Sequence, residues 1–216
     1  MNENSSKQVL LSVLGIAVLV VAVVGVSFAF FTYSKTGEKN NTLTTGNIFF
    51  NFTEGNAIKL TNEFPRTDAS GEALTEAQNG ALTFHVVGYD SSEKGIEYTV
   101  YALEGDAEAD RTRFKDSEIK LNLKAPATVV ENKFATSTVV GTVGSLANGV
   151  VLAKGKITAK SSETQQDDEY TLRMWISDAV SIGEGKTYTT EEYTKMYYSL
   201  KLKVVAATTG TTQPGV

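Results

Sequence analysis

Apolar and polar side chains alternate with a period of two along most of this chain, and no other feature restricts its fold as strongly. Ile48, Phe50 and Phe52 share one side against Asn51 and Thr53. Leu82, Phe84 and Val86 alternate with Thr83, His85 and Val87, and Ile96, Tyr98, Val100 and Ala102 with Glu97, Thr99 and Tyr101. The pattern recurs at Ile119-Leu121-Leu123, Val151-Ala153-Ile157, Tyr170-Leu172-Met174-Ile176 and Tyr198-Leu200-Leu202-Val204. A period of two places successive side chains on opposite faces of a strand. One apolar and one wet face per strand is the mark of antiparallel sheets packed on a single core. Threonine is abundant and there are only 3 prolines, which suits pleated strands.

The joins carry turn chemistry: Glu54-Gly55-Asn56, the run Asp90 to Gly95, Glu104-Gly105-Asp106, Ala147-Asn148-Gly149 and Gly183-Glu184-Gly185. Asn148-Gly149 between apolar runs predicts a hairpin. Gly141 and Gly144 in a Val/Thr-rich stretch predict a turn or bulge. Thr190 to Tyr197 reads as a short helix capped by Thr189 or Thr190, and Ala73 to Asn79 as another helical turn. The charged stretch from Glu104 to Glu118 reads as a solvated connection. Seven or more short strands in one domain predict an all-β, jelly-roll-like antiparallel β-sandwich.

A different signal precedes the strands. Val9 to Phe31 is an apolar run interrupted only by Ser12, Ser27, Gly15 and Gly25, long enough to cross a bilayer as a helix. Its length favours a retained membrane anchor. Its end favours a cleaved signal peptide, because Ser27-Phe28-Ala29 places small residues three and one positions before a cut between Ala29 and Phe30. Both fates put the remainder outside the cytoplasm, secreted or at the cell surface, with membrane contact through this segment before processing. The organisation expected is residues 1–29 as signal or anchor, 30–46 as an amino-terminal extension, 47–206 as the sandwich and 207–216 as a loose tail.

The chemical inventory is sparse. There are no cysteines, which removes disulfides, thiolate metal sites and cysteine nucleophiles. The only histidine is His85, whereas a catalytic zinc site takes two or three; no metal site and no cofactor are expected. His85 reads as a surface or half-buried strand residue. The acidic groups Asp106, Glu108, Asp110 and Asp167, Asp168, Glu169 read as solvated turns, since neither has the spacing of a calcium loop. Trp175 faces away from the Leu172 stripe, either as a surface aromatic for ligand contact or packed in a second layer. A net charge of -5 gives no basic patch for nucleic acid.

Phe30-Phe31-Thr32-Tyr33-Ser34 is aromatic, uncharged and β-favouring. If the leader is cut, it becomes a free amino-terminal strand that seeks a sheet edge, its own or a neighbour's. Addition to a neighbour is head-to-tail, and such contacts build filaments when they do not close.

The stretch Gly25-Val26-Ser27-Phe28-Ala29-Phe30-Phe31-Thr32 resembles the signal region of the TasA/camelysin family of Gram-positive bacteria. Leu43-Thr44-Thr45-Gly46-Asn47-Ile48-Phe49-Phe50 resembles that family's first strand. The resemblance implies a jelly-roll subunit of biofilm-matrix fibres joined by donation of the mature amino-terminal strand. Ala29 and Phe30 would flank the cut, and Phe30, Phe31, Thr32, Tyr33 and Ser34 would begin the donated segment. The family has also been labelled metallopeptidase; one histidine without a paired metal motif departs from that label. The expectation is a non-enzymatic fibre subunit that associates with itself, with a membrane-anchored binding or adhesion module as the alternative and a metallopeptidase third.

Overall fold

The computed structural model describes residue 16 and residues 32–36, 41–45, 48–54, 58–92 and 94–209. Among the described residues thirteen strands follow in chain order: β1 (Thr32–Thr36), β2 (Asn41–Thr45), β3 (Ile48–Glu54), β4 (Lys59–Thr61), β5 (Ala81–Asp90), β6 (Ile96–Glu104), β7 (Thr112–Arg113), β8 (Ile119–Lys124), β9 (Val129–Asn132), β10 (Thr138–Val139), β11 (Val150–Ile157), β12 (Gln166–Ile176) and β13 (Met196–Thr208). The apolar run Val9–Phe31, and with it Ser27, Ala29, Phe30 and Phe31, lies outside the described residues apart from Ile16. Among the described residues no helix is long and apolar enough to cross a membrane.

The strands form an all-β sandwich of two sheets. One runs β1-β13-β6-β11-β9, with β4 and β7 also pairing β13; the other runs β10-β8-β12-β5-β3-β2. Every pairing between strands is antiparallel except the short β7 against β13. The alternating stripes meet between the sheets. Phe84, Val86, Leu121, Leu123, Leu172 and Met174 from one sheet bury against Val100, Ala102, Leu152, Leu202 and Val204 from the other. Side chains of this size each contribute about 1.5–3 kcal/mol on burial, so the stripes are the main source of stability.

Three local readings of the sequence are corrected. Val151 does not share the inner face with Ala153 and Ile157, because the pairing of β11 with β6 shifts register between Val151 and Ala153. Val150 and Leu152 are inward before the shift, Ala153 and Ile157 after it. One extra residue inverts the parity of everything beyond it. Asn148-Gly149 is not a hairpin: a 3-10 turn (Leu146–Asn148) ends there, and Gly149, with φ of 77°, leads into β11. Of the turn or bulge expected at Gly141 and Gly144 the bulge is absent: Val140–Val143 is a single helical turn containing Gly141 and closed by Gly144, and a Cβ on Gly141 would lie 3.0 Å from the backbone N of Ser117.

The helix expected after Thr189 is present but shorter, Thr190–Thr194. The Thr189 hydroxyl accepts from the Glu192 N–H while the Glu192 carboxylate accepts from the Thr189 N–H, a reciprocal cap. The Ala73–Asn79 stretch holds only the 3-10 turn Glu76–Gln78, and the neighbouring helix is Asp68–Glu72. Ala207 and Thr208, placed in the tail by the sequence reading, extend β13 because it pairs there with β6 on one side and, at Ala207, with β1 on the other.

Candidate functional site

Each polar feature of the sequence now has a position. His85 sits on the outer face of β5, and its Nδ1 lies 2.8 Å from Asp167 Oδ1 on β12. The two come together because antiparallel pairing puts Asp167 opposite Val87 and Glu169 opposite His85. Asp106 pairs with Lys201 at 2.6 Å, and Glu108 with Lys59 and, at 3.3 Å, with Arg111. Asp110 holds a positive φ of 62° in the same loop. Among the described residues, no three of the His, Asp and Glu side chains are grouped to hold a metal ion. Trp175 is 1% exposed. It lies under the helix Asp68–Glu72, where a Cβ on Gly71 would sit 2.2 Å from the indole ring, so it is packed in a second layer and not offered to a ligand.

The reading of Asp167, Asp168 and Glu169 as a solvated turn is overturned. All three lie inside β12, and Asp168 is 1% exposed. Its carboxyl group accepts from the Tyr98 hydroxyl, from Thr128 Oγ1 at 2.6 Å and from Gln166 Nε2 at 2.9 Å. Tyr98 spends its proton on Asp168, so the 2.8 Å contact between the Tyr98 and Tyr170 hydroxyls has Tyr170 as donor. Tyr170 stacks on Phe84 at 4.8 Å. Burial first, then the neighbouring Tyr170 and the bond to Asp168, push the Tyr98 phenol well above its ordinary range. The group ties β6 of one sheet to β12 of the other and to the loop before β9. Buried polar groups of this kind must be fully paired to be tolerated, and here they are. Period two carried one step back from Tyr170 reaches Asp168, which is the signal that could have marked it as inward.

A second polar knot joins the 104–118 connection to the sandwich. Asp116 accepts from the Tyr198 hydroxyl at 2.8 Å and from the Leu146 N–H at 3.0 Å, and pairs with Arg113 at 2.9 Å. The Arg113 guanidinium lies 4.1 Å over the Tyr198 ring. This connection is therefore anchored, not simply solvated. Burial alone would raise the Asp116 carboxyl, but the bonds from Tyr198 and Leu146 and the Arg113 charge outweigh it, holding the group below its usual range. A carboxyl held lower in the fold than its unfolded value of about 4 contributes stability above that pH and loses it as pH falls through the folded value. Asp116→Asn should therefore cost about 2 kcal/mol at pH 7, the scale of hydrogen bonds to a charged group. In urea titrations at a series of pH values, the gap to wild type should narrow steadily below about pH 4. A gap that stays constant into acid would count against the charge.

Of the residues expected to begin a donated strand, the described ones fall at one edge. Thr32, Tyr33 and Ser34 belong to β1, which pairs antiparallel with β13 from Thr32 opposite Ala207 to Thr36 opposite Lys203. The β13 residues facing that ladder include Val204 and Val205, both fully buried, and Ala206 and Ala207, nearly so. On its other side β13 pairs β6 along Leu200 to Thr208. Among the described residues β1 is thus the last strand of its sheet, beside a strand whose side chains are already in the core. Compared with known proteins, the chain matches no family model, no curated protein and no solved structure.

Proposed function

We propose that this chain is a secreted structural subunit of extracellular, biofilm-matrix-type fibres, without enzymatic activity, which assembles by donating its amino-terminal strand to a neighbouring copy. The observation that carries this reading is the terminal position of β1 against β13. Five residues at the start of the described sandwich contribute one edge strand, and they follow directly on the aromatic pair Phe30-Phe31. An edge strand joined to its domain through one short link, residues 37–40, can be exchanged between identical copies. The contacts made on β13 are the same whether β1 comes from the same chain or the next. Concentration and the link decide between the two, not the pairing energy. Exchange in one direction repeats head to tail and gives a filament.

The jelly-roll form of the sandwich is part of the same reading. The orders β1-β13-β6-β11 and β5-β12-β8-β10 follow the interleaved two-sheet pattern of eight strands in two Greek keys, with β2 and β3 added at one end, and this order supports it. Residues 1–29 would be a signal peptide cut between Ala29 and Phe30, giving a secreted product. Absence of catalysis is supported by the sparse chemical inventory of the sequence, a single histidine and no cysteine.

The test is deletion of residues 30–36 from protein that begins at Phe30. The intact form should give filaments by electron microscopy at high concentration, and the deletion should give none while keeping the emission of buried Trp175. Filaments from the deletion, or an intact form that stays monomeric throughout, would refute donation. The second reading, a membrane-anchored surface binding module, is favoured by the length of the apolar run. Intact mass of the native protein separates them, through a first residue at Phe30 or an uncut amino terminus.

A further inference from the structure

The two lateral sides of the sandwich are built differently. On one side the sheets end in β9 and β10. β10 is 2 residues long. β9 is 4 residues long and slips register against β11 between Lys154 and Gly155. Its Glu131 pairs with Lys154 at 2.7 Å and with Lys133 at 3.7 Å. Short length, a bulge and charge are the usual means of blunting a sheet edge against association. On the other side the sheets end in β1 and β2. β2, Asn41-Thr42-Leu43-Thr44-Thr45, has no ionisable residue and no proline. It pairs in unbroken register with β3 from Asn41 opposite Phe52 to Thr45 opposite Ile48. Among the described residues no strand pairs with its outer edge.

We infer that the outer edge of β2 is a self-association surface, taking β2 of a second copy in antiparallel, two-fold pairing that continues the six-stranded sheet across both molecules. The occupant is a second copy because an antiparallel strand is complementary to itself under two-fold rotation: each outward N–H meets the outward C=O of the same residues on its partner. An uncharged, regular, five-residue edge is what such pairing requires, and the opposite side of the sandwich is denied it. A ladder this short is weak for a single pair of molecules. Repeated along two filaments it becomes multivalent, and binding strengthens without any new contact. The inference rests on the fibre reading for its consequence, adding a contact through β2 to the joining through β1, and its test is chosen to be independent of whether filaments form.

The test is Thr42→Lys with Thr44→Lys in the full chain starting at Phe30, which puts like charges on both partners of the two-fold ladder. Sedimentation velocity at rising concentration should show wild type shifting towards a dimer and the double variant remaining monomeric, at least a tenfold weakening. If filaments form, wild type should bundle side by side and the variant should give single filaments of unchanged length. Identical sedimentation of the two proteins, or identical bundling, would overturn the β2 pairing whatever happens to axial assembly. Loss of filaments with bundling behaviour transferred to dimers would leave it standing and indict donation alone. Lys35→Ala on β1 controls for a general effect of edge charge, and it should not change the dimer.

Discussion

Asp168→Ala should lower the unfolding free energy by about 3 kcal/mol, the cost expected when a buried carboxyl that several donors depend on is removed. Tyr98 would still be bonded to Tyr170, and Gln166 Nε2 still donates to the Lys156 carbonyl at 2.8 Å. The loss concentrates on Thr128 Oγ1 and on the Tyr98 proton, both of which are left facing space vacated by the carboxyl. Because these groups bridge β6, β12 and the loop before β9, the penalty should appear in the global transition and not as local fraying. Urea unfolding followed by Trp175 emission measures it. Asp168→Asn, which keeps one acceptor oxygen, should cost clearly less than Asp168→Ala. Equal costs, or a loss under about 1 kcal/mol for alanine, would mean the network contributes little to holding the sheets together.

Gly155→Ala should cost a similar amount, about 3 kcal/mol, for a steric reason. An added Cβ would stand 2.3 Å from both Cζ and Oη of Tyr98. Alanine is ordinarily a better strand residue than glycine, so on backbone grounds alone the change should help. It fails here because Tyr98, 1% exposed and bonded to Asp168 and Tyr170, has no room to retreat. The signature is non-additivity. In a Tyr98→Leu background the ring is gone, and Gly155→Ala should then be close to neutral. A coupling energy near zero in that double-mutant cycle would show that the backbone, not the ring, sets the requirement for glycine.

Period two identified the strands that carry the core, since a strand with one buried face must repeat its apolar residues at every second position; Leu82-Phe84-Val86 and Leu121-Leu123 are buried as expected. The capped helix after Thr189 was legible for the same local reason, a hydroxyl and a carboxylate three residues apart. Asp168 was misread because acidic runs usually lie in solvent, and nothing adjacent to it in sequence announces Tyr98 or Thr128. Val151 was misplaced because a bulge is a property of the pair of strands, not of either one. Trp175 carries no local mark of its second-layer burial, which depends on the distant helix bearing Gly71 lying across it.

Taken alone, then, the sequence determined the all-β class, seven of the thirteen described strands with most of their inward faces, and the position of the apolar run Val9–Phe31. All of these follow from interactions between residues near one another in the chain. Which strands pair, and hence that β1 lies on β13, that β2 ends a sheet, and that Asp168 meets Tyr98 across the sandwich, was decided only by tertiary structure. These are contacts between distant segments, selected by shape, register and the need to pair every buried polar group, and a local pattern carries no record of its partner.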